Sequence, residues 1–179
     1  MFNLNGKKWT PIKAEQYFNV EKSEFIWKAQ ASVIHVIDKY TNNEGLLKVK
    51  LLNLITLGKA TGKEMNQGEI LRYLSETMWF PSSFISEQIS WETIDENTAK
   101  ANIKYGEETA SALFQFNSNG EIEKITAKRY RETKGDYELG NWEISNMEYK
   151  AFNGIRIPYK AHVSWILDSE KLCYYKLEI

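Results

Sequence analysis

The chain has a single cysteine, Cys173, so no disulfide can close within it. Cys173 falls in an alternating segment, where a free thiol packs as a small apolar side chain. Histidine is equally scarce. His35 and His162 are the two present, and with one cysteine they make no zinc site without carboxylates. No metal or cofactor is therefore expected. No apolar run approaches the roughly 18 residues that a spanning helix needs. Residues 1–12 lack the apolar centre of a signal peptide. A cytoplasmic location is the expectation for the chain as given, unless an upstream segment precedes it. Neither sign of charge dominates, with 23 basic against 24 acidic residues and a net charge of −1. That balance argues against nucleic acid as a partner and against a polybasic membrane anchor. A Walker loop, a dinucleotide fingerprint and a His-Glu-x-x-His motif are all absent, which argues against nucleotide and zinc-protease chemistry.

What the chain does have is aromatic residues: 6 Trp, 10 Tyr and 8 Phe in 179 residues. These favour strands, and the length suits a single domain, residues 1–179. Alternation of period two is cleanest from Ile155 to Leu167, where Ile155, Ile157, Tyr159, Ala161, Val163, Trp165 and Leu167 share one face. Pro158 lacks an N–H, so it belongs at an edge or a bulge. Asn153-Gly154 ahead of it suits a tight hairpin from a strand at Asn141–Ala151. A last strand, Lys171–Ile179, follows a turn at Asp168-Ser169-Glu170. Ala99–Tyr105, Ala110–Phe116 and Glu121–Arg131 read as further strands, joined by turns at Gly106–Thr109 and Asn117–Gly120. The second half is thus a meander of roughly six strands. In the first half, Trp9–Phe18, Phe25–Tyr40 and Leu46–Ile55 are strand candidates, and Gly58 to Gly62 reads as a turn.

One stretch breaks the pattern. Asn66 is a favourable N-cap, Glu69 completes a capping box, and Met65 with Ile70 has hydrophobic-staple spacing. Ile70, Leu71, Leu74 and Met78 form an apolar stripe. Arg72 and Glu76 are i,i+4 partners on another face. Pro81 ends the helix and pushes Phe80 out of the helical region. The expected architecture is mainly β: one strongly curved antiparallel sheet, or half-barrel, of about nine to eleven strands. The Asn66–Trp79 helix would lie on its concave face.

The candidate site follows from that picture. Arg72, Tyr73 and Glu76 would stand at the polar mouth between helix and sheet, with Trp79 and Trp91 as apolar lining. The expected ligand is a hydrophobic or amphipathic small molecule or lipid. An enzyme using Glu76 as acid or base beside Arg72 is the first alternative. A domain that docks through a sheet edge is the second. His35 and Asp38 stand three apart, which on a strand puts them on opposite faces, so they make no acid–base pair.

Several motifs in order carry a resemblance across essentially the whole chain. They are Trp9–Phe18, Phe25–Ala29, Arg72–Pro81, Ile89–Glu92 and Ile157-Pro158. The chain resembles an uncharacterised bacterial domain family of unknown function with the signature Arg-Tyr-Leu-x-Glu-x-x-Trp-x-Pro. The resemblance implies no assigned activity. A strand-rich pattern with an inserted helix is also similar to the half-barrel of Lol-type lipoprotein carriers, a likeness of fold that does not itself imply function.

Overall fold

Short hairpin turns set the topology. The computed structural model describes residues 1–3, 8–133, 135–168 and 170–179. Among these residues five strands come first: β1 (Lys13–Asn19), β2 (Glu24–Ala31), β3 (Ile34–Thr41), β4 (Glu44–Leu51) and β5 (Ile55–Ala60). The helix α1 (Lys63–Glu76) and two short 3-10 turns, Thr77–Trp79 and Pro81–Ile85, follow. Seven more strands close the chain: β6 (Ile89–Asp95), β7 (Thr98–Tyr105), β8 (Glu108–Phe116), β9 (Ile122–Thr133), β10 (Asp136–Phe152), β11 (Ile155–Leu167) and β12 (Glu170–Glu178). Each strand pairs antiparallel with its neighbour in sequence.

The expectation of one curved sheet or half-barrel fails here. The strands form two separate sheets, β1–β5 and β6–β12, of five and seven strands. Neither is closed or strongly curled. The reason is the segment between them. Residues 61–88 carry α1 and both 3-10 turns, so no ladder runs from β5 to β6. Met1–Asn3 partly span the gap. Phe2 bridges Tyr175 on β12, and its ring also meets Trp27 of β2 edge-on at 6.5 Å.

Most strand positions match the alternation, and the differences have local causes. Phe25–Tyr40 is two strands, because Ser32 takes a left-handed φ of 53° and turns the chain. Leu46–Ile55 is likewise split, at Leu52 and Asn53. Gly58 lies inside β5, at a register shift opposite Val49 and Lys50. Pro158 sits at an irregularity in the β10–β11 ladder, as its missing N–H requires. Asn153 and Gly154 both have positive φ and make the expected hairpin. The expected turn at 168–170 includes Ser169, which lies outside the described residues.

The helix begins four residues earlier than its capping box implies. Gly62 occupies the N-cap, with no side-chain cap bond. Asn66 is inside the helix and accepts the Gly45 N–H at 2.8 Å. Glu69 turns inward instead of back to a cap. The end is as expected. After Glu76 the chain tightens into a 3-10 turn, Phe80 takes φ −136°, and Pro81 starts the next turn.

At 100° per residue, α1 has two opposed stripes. Ile70, Leu71 and Leu74, all fully buried, occupy the side opposite Arg72 and Glu76, with Glu69 beside that charged pair. The helix packs against β7, β8 and β9 of one sheet and β3 and β4 of the other. Arg72 bonds to the five-stranded sheet through Asp38, and Glu69 pairs with Arg129 of the seven-stranded one. The approach to β4 is close. A Cβ on Gly45 would lie 3.2 Å from the Glu69 Cγ and from the Met65 backbone. Gly45→Val should lower unfolding free energy by about 2–3 kcal/mol through overpacking. Gly58→Val, where nothing lies within 4 Å of the added Cβ, should change it little. Urea unfolding of both variants checks the pair.

Candidate functional site

Strand alternation turns three polar side chains, Asp38, Tyr40 and Gln16, towards α1. On β3, Asp38 and Tyr40 face inward and His35 faces out, so His35 and Asp38 do not meet across the sheet. On β1, Gln16 faces inward. Arg72 reaches Asp38 and Gln16 on these strands and Glu76 on its own helix. Its Nη1 donates to Asp38 Oδ2 at 2.6 Å, its Nε to Glu76 Oε1 at 2.9 Å, and its Nη2 to Gln16 Oε1 at 3.3 Å. Gln16 Nε2 in turn donates to the other oxygen of Glu76. The guanidinium also lies over two aromatic faces, Phe25 at 4.8 Å and Trp27 at 5.2 Å. A planar, forked cation suits this arrangement and a lysine would not.

The side chains of Arg72, Asp38 and Glu76 are nearly enclosed, at 12–13% exposure. Burial by itself would lower the Arg72 pKa. Glu76, Asp38 and Glu69 outweigh that effect and hold the guanidinium charged. One turn away, Glu69 is fully buried and lies 3.5 Å from Arg129 of β9. Burial pushes its carboxyl up to about 8. Asp38 and Glu76 add to the rise, and Arg129 with Arg72 only partly opposes it. Burial thus favours the protonated form of Glu69.

The structure brings together two of the five expected ligand residues, Arg72 and Glu76, but within the helix–sheet seam and not at a mouth. The second sheet is what covers them. Tyr73 is buried against Phe18 and Phe80, edge-on at 6.2 Å and 5.5 Å. Burial raises its hydroxyl to about 12. Trp79 donates from Nε1 to the Pro158 carbonyl at 2.9 Å and pins the helix end to β11. Trp91 lies in a different group, with Phe84 and Phe114, and donates to the Phe84 carbonyl. Gln16, Asp38 and Glu69 escaped the sequence reading. Asp38 carried a signal: it occupies an inward position between Val36 and Tyr40, where an unpaired carboxylate is costly.

Both Glu76 oxygens are engaged by Arg72 and Gln16. Among the described residues no cluster of three or more His, Cys, Asp or Glu is arranged to hold a metal. No helix there is long and apolar enough to cross a membrane. A broad concavity lies elsewhere. It is an open depression of about 750 Å³ on the seven-stranded sheet, lined in part by Leu113, Thr126, Lys128, Tyr130, Leu139 and Ile166. These residues alternate with buried Ala112, Ile125 and Trp142, so they face away from α1.

Over residues 1–177 the chain matches the model of a family of unknown function, DUF6544, and it belongs to that family. No curated protein and no solved structure matches it.

Two measurements probe the cluster. Arg72→Lys keeps the charge but loses the fork, and should cost about 2–4 kcal/mol by leaving a buried carboxylate poorly paired. An unchanged urea midpoint would contradict that role. Glu69 has a folded pKa near 8 against an ordinary value of 4.5. The folded state then binds the extra proton between those values, so stability is fully present below about 4.5 and falls as pH rises towards about 8. Glu69→Gln should remove this slope and gain on the wild type as pH rises through that window. A stability difference constant with pH would contradict the assignment.

Proposed function

We propose that this protein is a non-catalytic binding domain for an anionic amphipath: one aliphatic chain with a negatively charged head. The observation that carries the reading is the depression on the outward face of the seven-stranded sheet. Its volume, about 750 Å³, falls in the range of small-molecule sites. Its floor is aliphatic and aromatic. Register sets Tyr130 opposite Leu139, Leu113 opposite Thr126, and Asn141 between Lys128 and Ile166. Leu139 is more than half exposed, and Leu113 and Tyr130 are exposed by about a third. Contiguous outward apolar side chains on a sheet mark interaction sites. Lys100 and Lys128 at the margin supply the positive charge that a carboxylate, sulfonate or phosphate head would meet.

In this reading Arg72, Tyr73, Glu76 and Trp79 hold the scaffold, and the ligand lies on the opposite side of the sheet. The packed helix–sheet interior supports that division, since Ile70, Leu71, Tyr73 and Leu74 fill it. The test is displacement of an anionic naphthalene-sulfonate dye by dodecanoate, with native mass spectrometry for stoichiometry. Wild-type protein should bind one chain. Leu139→Asp should weaken binding at least about tenfold, the loss of about 1.5 kcal/mol of apolar contact. Lys128→Glu should weaken dodecanoate but not dodecanol. Absence of saturable binding, or equal affinity in Leu139→Asp, would overturn the proposal.

A further inference from the structure

The two ends of the five-stranded sheet differ in chemistry. At one end the β3–β4 turn is Asn42-Asn43, both at positive φ, which is ordinary hairpin chemistry. Glu24 and Glu44 flank it. At the other end, where the β2–β3 and β4–β5 turns lie side by side, the residues are apolar. Val33, Leu52, Leu54, Ile55 and Leu57 are all exposed, Leu54 by 81%. The Leu52 N–H donates to the Val33 carbonyl at 2.8 Å, so the two turns form one tip. Leu52 itself has φ 50°, and Asn53 φ 58°. A branched apolar residue in the left-handed region is unfavourable, and Asn or Gly would fit there at lower cost. The turn thus accepts strain to hold a leucine in water.

The charge around this tip is of one sign. No Asp or Glu occurs from Phe25 to Ile37 or from Leu46 to Lys63. Over the same stretches the outward face carries Lys28, Lys48, Lys50 and Lys59. Register sets Lys48 between Ile37 and Lys59, and Lys50 between His35 and Thr56. Across the β1–β2 ladder Glu15 stands opposite Lys28. The near-zero net charge of the chain conceals this local excess.

We infer that the tip docks on the surface of an anionic lipid bilayer, with Leu52, Leu54 and Ile55 entering the interface and Lys48, Lys50 and Lys59 meeting the headgroups. Exposed aliphatics ringed by lysines match both layers of such a surface. Pairing of two copies through β5 would bring the lysine rows together, and like charges across a ladder repel. A nucleic acid would set phosphates against the aliphatic apex. This inference uses residues on the other sheet from the proposed ligand face, and it stands or falls separately.

The test is co-sedimentation of the full chain with vesicles of phosphatidylcholine alone or with phosphatidylglycerol added. Wild-type protein should pellet with the anionic vesicles and far less with the neutral ones. Binding should weaken as salt rises from about 0.1 M to about 0.5 M, because screening shortens the reach of the lysines. The double variant Leu54→Ser/Ile55→Ser should lose at least about fivefold in partition, since each buried aliphatic side chain counts for more than 1 kcal/mol. Lys48→Glu/Lys50→Glu should lose at least about tenfold, each lysine near the surface being worth about 1 kcal/mol. Circular dichroism should be unchanged, since all four positions lie at the surface or half-buried. Leu139→Asp should bind vesicles as wild type does, which separates this result from the ligand proposal. Equal sedimentation of wild type and tip variant would overturn the inference. So would a wild-type dimer in sedimentation equilibrium that the tip variant abolishes.

Discussion

The Arg72 guanidinium, held between Asp38, Glu76 and Gln16 over the rings of Phe25 and Trp27, ties α1 to the five-stranded sheet. The remaining architecture follows from that tie. An apolar stripe alone would bury α1 on one sheet and leave its far side in water. Here the far side carries a charged seam that only a second layer with complementary groups can cover. Asp38 on β3 and Gln16 on β1 provide it. Buried ions are costly, and a hydrophobic seam of the same shape would often be as stable or more so. What the charges add is register. Arg72 can satisfy its three acceptors in one placement of helix over strands, whereas aliphatic contacts tolerate sliding. Glu69 lies in the same seam beside Arg129, where burial favours its protonated form.

This arrangement assigns different tasks to the inside and the outside of the molecule. In the interior Arg72, Asp38, Glu76 and Gln16 bond to one another, while Asp38 Oδ1, Glu69 Oε2 and the Tyr40 hydroxyl stay without a hydrogen-bond partner. Trp79, anchored on Pro158, and Tyr73, packed between Phe18 and Phe80, extend the same framework. Surfaces that can meet something else lie on the outward faces. The seven-stranded sheet offers an apolar depression with two lysines beside it. The five-stranded sheet offers a cationic, aliphatic tip at one end only. Both features combine apolar area with positive charge, and both suit amphipathic anions.

Much of the fold was legible because strand alternation and turn chemistry are local. Ile155–Leu167 forms one strand whose Ala161 and Val163 face inward as their period implies, although Ile155 is exposed and Pro158 and Ser164 are buried, Asn153-Gly154 turns the chain, and Pro81 stops the helix. The errors arose where tertiary contacts overrode local signals. Asn66 looked like a cap, but its side chain serves Gly45 on β4. Glu69 looked like the second half of a capping box, but it is drawn into the seam. The Arg72–Glu76 pair was visible as an i,i+4 spacing, and its face was read as a mouth because a single sheet was assumed. Whether one meander forms one sheet or two depends on how residues 61–88 pack, which no period records. The cationic tip was hidden for a different reason. Charge was summed over the chain, and acids elsewhere in it cancelled these lysines.

A double-mutant cycle between Asp38→Leu and Arg72→Met tests the central claim most directly, with unfolding free energies taken from urea titrations at neutral pH. If the guanidinium couples helix to sheet, the double variant should be less destabilised than the sum of the two single variants by at least about 2 kcal/mol. Costs that add to within about 0.5 kcal/mol would show the two residues to be independent and would contradict the account.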